Sequence, residues 1–159
     1  MSGESKRLTT RTKLTKNEWK NMKEIKKLLP HRHPFLFVDE IISARQDEII
    51  GVKIFDESME FLNGHFPEFK IVPGTILVEA MAQCGGAGIK KLYPTRNGLF
   101  SLATIESVKF HKSVECGQTV KTVVKNLRVG EKVIKQSGVS YVNDIPVVEA
   151  IWMCVKLAT

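Results

Sequence analysis

Residues 64–89 read GHFPEFKIVPGTILVEAMAQCGGAGI, and this stretch decides the fold. Proline cannot continue a helix backward but fits its first turn, so Pro73-Gly74 marks a helix start whose leading N–H groups face outward without partners. The helix is expected from about Thr75 to Ile89. At 3.6 residues per turn, Ile76, Leu77, Val78, Ala80, Met81, Ala82, Cys84, Ala87 and Ile89 fall on every side rather than along one stripe, which predicts a helix buried all round.

Glu79 is the only ionisable carboxylate in that run. An unpaired carboxylate is costly to bury, and the usual escape is to keep it protonated, which leaves an acid able to donate near neutrality. Glu79 lies five residues past Gly74, roughly 7–8 Å along the axis at the standard rise. A carbonyl held by the Gly74 N–H would therefore place its next carbons near Glu79. His65, thirteen residues upstream of Glu79 not counting either, is the titratable partner. Alone, each has a plain structural reading: a histidine in a proline-flanked loop is more often exposed or structural, and a lone helix glutamate often pairs with an arginine. Together, around Pro73-Gly74, they point to acid and base chemistry.

Downstream of the helix, Pro94 to Gly98 is a turn, and strands are expected near residues 99–112, 118–128, 132–142 and 145–157. Two more are expected near 36–46 and 48–56. Val129-Gly130-Glu131 and Asn143-Asp144 are short turn signals between β-rich runs. About six antiparallel strands and one buried helix make an α+β fold, not a doubly wound one. Upstream, Thr15-x-x-Glu18 spells a capping box that starts a short helix through Leu28, stopped by Pro30, with the basic stretch as its solvated face.

The segment FLNGHFPEFKIVPGTILVEAMAQCGG, residues 61–86, closely resembles the 3-hydroxyacyl-[acyl-carrier-protein] dehydratases of bacterial and plastid type II fatty acid synthesis, the hydro-lyase branch with a catalytic glutamate. LLPHRHPFLFVDEI at 28–41 and GLFSLATIESVKFHKSV at 98–114 resemble two further segments of that family, so the likeness runs over about residues 25–157. It implies a hot-dog fold, an antiparallel sheet wrapped around one long central helix. It also implies a homodimer, with trimers of dimers common, in which each site takes its histidine from one subunit and its glutamate from the other. Carried over, His65 abstracts the C2 proton, Glu79 protonates the departing 3-hydroxyl directly or through a water, and the Gly74 N–H polarises the thioester carbonyl, with Pro73 and Phe66 shaping the site. The implied partner is an acyl carrier protein bearing a 3-hydroxyacyl chain, with no cofactor and no metal.

Some positions depart from the family pattern. Glu68-Phe69-Lys70 replaces a glycine-lysine-proline-like stretch, His33 a common tyrosine, and Glu115-Cys116-Gly117 a proline-glycine-aspartate turn. These bear on loop shape and chain-length preference rather than on the reacting groups. Gly85, Gly86 and Gly88 each weaken a helix by roughly 1 kcal/mol against alanine, so close approach of a partner's helix or an acyl chain is expected there. Phe35, Phe37, Phe66, Phe100 and Phe110 are core or the wall of an acyl tunnel. His31 and His33 lack the carboxylate or cysteine neighbours of a metal site, Arg32 is expected to fix its loop or meet the carrier, and His111 is an exposed strand histidine.

Rival readings are weaker. A hot-dog thioesterase would not need the GHFP histidine, a dehydratase-isomerase that also forms cis-3-enoyl products typically carries aspartate at the acid position, and a non-catalytic acyl-carrier-binding scaffold would be expected to lose His65 or Glu79.

A chain of 159 residues is one domain with enough length for a core, divided here into a basic extension, residues 1–15, and the dehydratase domain, residues 16–159. Residues 1–27 hold nine basic against three acidic residues, +6 of the net +7. Such charge would speed encounter with an acidic carrier, although most of it sits on a tail. Clustered Lys and Arg also suit nucleic acid, but only Trp19 among the tail residues is aromatic and no reading motif follows, so no nucleic-acid partner is expected. The three scattered cysteines suggest neither a disulfide framework nor a metal knuckle and point to a reducing compartment. No apolar run is long enough to span a bilayer, so a soluble protein is expected, without membrane insertion. The cytoplasm is the expected location, or a plastid-like organelle if the Arg-, Lys-, Ser- and Thr-rich start is a transit remnant.

Overall fold

The computed structural model describes residues 15–158. The basic extension expected over residues 1–15 lies almost wholly outside them. Chain order is α1 (Lys16–Leu28), β1 (Glu40–Ala44), β2 (Glu48–Ile54), α2 (Glu60–Gly64), α3 (Gly74–Leu92), β3 (Phe100–Phe110), β4 (Thr119–Val129), β5 (Val133–Val142) and β6 (Ile145–Lys156). The strands form one antiparallel sheet in the order β1-β2-β4-β5-β6-β3. Helix α3 touches every strand of it. This is the hot-dog arrangement that the resemblance implied.

The strands form because their apolar residues alternate. Along β5 every second residue is buried, the period-2 pattern of a strand with one face on the core. Asn143 and Asp144, with φ of 50° and 61°, make the two-residue turn into β6, where short polar side chains tolerate the left-handed region. The core between sheet and helix includes Ile49, Val120, Val124, Val148 and Trp152 from the strands and Leu77, Met81, Cys84 and Ile89 from α3. Burying each large aliphatic side chain is worth roughly 1.5–3 kcal/mol.

Helix α1 begins as the capping box predicts. The Glu18 N–H donates to the Thr15 hydroxyl and the Thr15 N–H to the Glu18 carboxylate. Its inner face is not solvated, since Ile25 and Leu29 join the core and α1 packs on α3. Arg32 closes the other end, its guanidinium donating to the carbonyls of Lys26, Leu29 and His31. A cation there satisfies the orphan carbonyls and the negative end of the helix dipole. No helix among the described residues is long and apolar enough to cross a membrane.

Two expectations about α3 change. It is not buried all round: Glu79, Ala82, Gly86 and Lys90, spaced three and four residues apart, are only partly buried and lie along one cavity-facing stripe. The other faces meet the sheet and α1, whereas this one lines a cavity. Gly85 and Gly88 answer to the protein's own sheet rather than to a partner helix or acyl chain. A Cβ on Gly85 would collide with the Gln136 amide on β5, and one on Gly88 with the Ile49 side chain on β2. Of Gly85, Gly86 and Gly88, Gly86 alone is open, with Leu29 Cδ2 as the nearest atom among the described residues at 3.7 Å.

Candidate active site

Three pieces of chain bring chemistry together: the loop from α2 to α3, the open stripe of α3, and the loop from α1 to β1. Helix α3 starts without a side-chain cap on Pro73. Ile76 and Leu77 donate to the Pro73 carbonyl, and no hydrogen bond among the described residues engages the Gly74 or Thr75 N–H. Free N–H groups at the positive end of a helix suit a developing oxyanion. The Phe110 ring of β3 lies over Gly74, and a Cβ there would stand 2.6 Å from Phe110 Cε1, so a larger residue would have to displace that exposed ring.

His65 follows the single turn of α2, and its Nδ1 lies 3.2 Å from the Ile71 carbonyl oxygen. A carbonyl only accepts, so in the neutral ring the proton sits on Nδ1 and the Nε2 lone pair is left to act as a base. The loop is pinned through its backbone: Val72 N–H donates to the Val114 carbonyl and Cys116 N–H to the Lys70 carbonyl. Phe66 takes the left-handed region, φ 57°, directly before Pro67, and its ring centroid is 4.3 Å from that of His65. Such a conformation in a bulky residue costs roughly 1–3 kcal/mol and persists only where the surroundings impose it.

Glu79 opens onto a cavity of about 750 Å³ bounded by α3, the α1–β1 loop and strands β3, β5 and β6. Its apolar walls include Leu29, Ala82, Phe100, Leu102 and Ile134. The carboxylate is neither stranded nor fully buried, with its side chain 22% exposed. Gln83, one turn on, donates from Nε2 to Glu79 Oε1 at 2.9 Å. The Gln83 amide is fixed by the other loop, because Oε1 accepts the Phe37 N–H at 2.8 Å and Nε2 also donates to the Phe35 carbonyl at 3.1 Å. His31 brings Nε2 to 3.7 Å from Glu79 Oε1. Cys154 lines the cavity too; burial, then the charge on Glu79, pushes its thiol up to about 11, so it stays a neutral wall at physiological pH.

The sequence-predicted residues thus fall into two groups. His65, Phe66, Pro73 and Gly74 share one loop and helix start. Glu79 points into the cavity beside Gln83 and His31, and no hydrogen bond or ion pair joins it to His65 within the chain. Gln83 was missed in the sequence, although its i, i+4 spacing from Glu79 on an apolar helix was a signal. In the sequence His31 suggests at most a metal ligand, and its approach to Glu79 depends on a loop that no local pattern specifies. Of the phenylalanines, Phe37 is core, Phe100 lines the cavity, and Phe35, Phe66 and Phe110 are exposed.

Known proteins resemble this chain in sequence and in fold. The FabA-like domain family matches residues 29–151. The 3-hydroxyacyl-[acyl-carrier-protein] dehydratase FabZ of Solibacter usitatus is 40% identical over 139 residues, 87% of this chain and 85% of that protein. The FabZ of Bacillus cytotoxicus is 36% identical over 131 residues, 82% of this chain and 91% of that protein. Among solved structures, the dehydratase heterocomplex ApeI:P from Xenorhabdus doucetiae superposes with a TM-score of 0.74 at 18% identity, covering 85% of this chain and 91% of that one. A hypothetical thioesterase with coenzyme A from Streptococcus pneumoniae follows at 0.58 and 13% identity, over 76% and 86%. At such identities the two structures speak for the hot-dog fold alone, whereas the sequence matches decide the family: this chain belongs to the FabA-like family, among the 3-hydroxyacyl-[acyl-carrier-protein] dehydratases.

Proposed function

We propose that the protein removes water from (3R)-3-hydroxyacyl chains carried on acyl carrier protein, giving trans-2-enoyl thioesters in type II fatty acid synthesis. His65 Nε2 takes the C2 proton, and the electron pair of that C–H bond becomes the C2–C3 double bond. Glu79 gives its proton to the 3-hydroxyl, which leaves as water, and the Gly74 N–H holds the thioester oxygen as charge builds there. Pro73 and Phe66 shape the approach of the thioester. Proton exchange with solvent resets the imidazolium and the carboxylate.

The observation that carries this reading is a carboxylic side chain opening into a largely apolar cavity one turn beyond a helix start whose N–H groups are unpaired. A 3-hydroxyacyl thioester needs those features in that order, an oxyanion donor, then an acid two carbons on, then apolar room for the chain.

His65 and Glu79 are not partners within the chain, and the proposal places them across a dimer, each site taking one from each copy. Phe66, Phe69, Ile105 and Phe110 support this, large apolar side chains 54%, 67%, 48% and 57% exposed on the His65 loop and on β3. Strand β3 is an edge of the sheet, eleven residues long, a natural place for a second copy to pair. Trimers of such dimers are the further assembly proposed.

The test is turnover of 3-hydroxybutyryl and crotonyl thioesters on acyl carrier protein, followed in both directions by mass spectrometry. Interconversion by the wild type, absent from His65→Ala and Glu79→Gln, is expected. Inactivity of the wild type across short and long chains would overturn the proposal.

A further inference from the structure

The environment of Glu79 is asymmetric, and the asymmetry has a second source besides Gln83. Oε1 accepts the Gln83 amide at 2.9 Å. The same oxygen is faced by His31 Nε2 at 3.7 Å, roughly 0.5 Å beyond hydrogen-bonding reach. Oε2 takes part in no hydrogen bond among the described residues. The two groups on Oε1 come from different parts of the chain, Gln83 from α3 itself and His31 from the loop after α1.

The tautomer of His31 follows from burial. Its Nδ1 is buried and has no hydrogen-bond partner among the described residues. A neutral ring protonated there would bury an unpaired N–H and aim a lone pair at the carboxylate, two penalties at once. With the proton on Nε2 the buried atom is only a lone pair, and the N–H is on the ring nitrogen that lies 3.7 Å from Glu79 Oε1. The ring is held for this: it stacks on Phe35, centroids 6.3 Å apart and 24° between planes, and its own carbonyl accepts from Arg32.

We infer that His31 is a positioning residue for Glu79. Facing Oε1 beside the Gln83 donor, it makes that oxygen the anchored one and leaves Oε2 to hand over the proton. This rests on the dehydratase reading and deepens it. When the O–H bond at Oε2 breaks and the proton passes to the departing hydroxyl, the electron pair stays on the carboxylate, and charge grows on Oε1 as well. An N–H 3.7 Å from Oε1 needs only a short approach to stabilise that charge as the substrate fills the cavity. Cys154 of β6 also faces the carboxyl but is a neutral thiol, so it supplies no competing charge.

The experiment compares kcat and KM for 3-hydroxyacyl-[acyl-carrier-protein] in wild type, His31→Phe, His31→Leu and His31→Gln, together with thermal unfolding of each. The phenylalanine keeps the ring without a donor, the leucine removes both, and the glutamine restores an N–H at similar reach. The expected result is kcat down about tenfold in the two donor-free variants, the worth of one hydrogen bond to a charge. KM stays within about twofold and the glutamine variant recovers most of the loss. A merely structural role would instead track the unfolding midpoint and ignore the donor. Full kcat in either folded donor-free variant, or a glutamine variant as impaired as the others, would overturn the inference while leaving the dehydratase reading intact. No turnover by the wild type would overturn both.

Discussion

The two loops that serve the site are held in opposite ways. The loop carrying His65 is tied down by its backbone, through Lys70 and Val72 to the segment before β4, and its side chains remain outside: Phe66 and Phe69 are more than half exposed. The loop from α1 to β1 is tied down by side chains, with Arg32 gathering three carbonyls and Gln83 bonding to Phe35 and Phe37. Glu79, the proposed acid, is therefore held inside one chain, whereas His65, the proposed base, is half-buried and its Nε2 makes no hydrogen bond among the described residues. That difference is what a site shared between two copies requires, since only His65 has to meet a stranger.

The strongest way to break this comparison is to remove each reacting group and then mix the products. His65→Ala and Glu79→Gln should each lower kcat by about a thousandfold or more, within the usual worth of an acid or base, with unfolding midpoints near wild type. If sites form between copies, co-refolded equal amounts of the two variants should regain about one quarter of wild-type activity, because half the dimers are mixed and each mixed dimer has one intact site. No recovery would place both groups in a site within one chain and undo the contrast between the loops.

A second effect falls on the side-chain clamp. Gln83→Leu leaves the buried Phe37 N–H and the Phe35 carbonyl without partners and frees Glu79 Oε1. It should cost about 1–3 kcal/mol in denaturant unfolding together with a drop in kcat of about tenfold or more. A loss of stability with unchanged kcat would mean that the clamp holds the loop but not the acid.

What could be read in advance divides along the same line. Helix α3, the six strands and the capping box of α1 were legible because each is written in local periodicity or a local motif, and strand limits mostly differ by one or two residues. The first strand is the exception: expected from about residue 36, it begins at Glu40. Leu36, Phe37 and Val38 look like strand residues, but the Phe37 N–H is spent on the Gln83 side chain, a contact 46 residues away that alternation cannot reveal. Helix α2, a single turn, left no periodic signal. Around the site, His65, Gly74 and Glu79 stood out through residue type and spacing, while Gln83 and His31 became visible only once the loop was seen folded against the helix.

Smaller effects separate the two sides of α3 itself. Gly88 faces Ile49, which is fully buried and has nowhere to go. Gly88→Ala should cost about 1–3 kcal/mol by overpacking, more than its gain in helix propensity, with kcat retained at a permissive temperature.

Gly86 lies two residues away on the open stripe, where a methyl group would find only Leu29 at 3.7 Å. Within the chain, Gly86→Ala should therefore stabilise, by up to about 1 kcal/mol, since the backbone gives up freedom on folding and nothing has to move. The methyl would also enter the cavity beyond Glu79, so KM should rise for long acyl chains and stay unchanged for four-carbon ones. Denaturant unfolding and a chain-length series read the two consequences separately. Destabilisation instead of gain would show that something outside the chain packs against this stripe, and the open face of α3 would then belong to the interface rather than to the acyl chain.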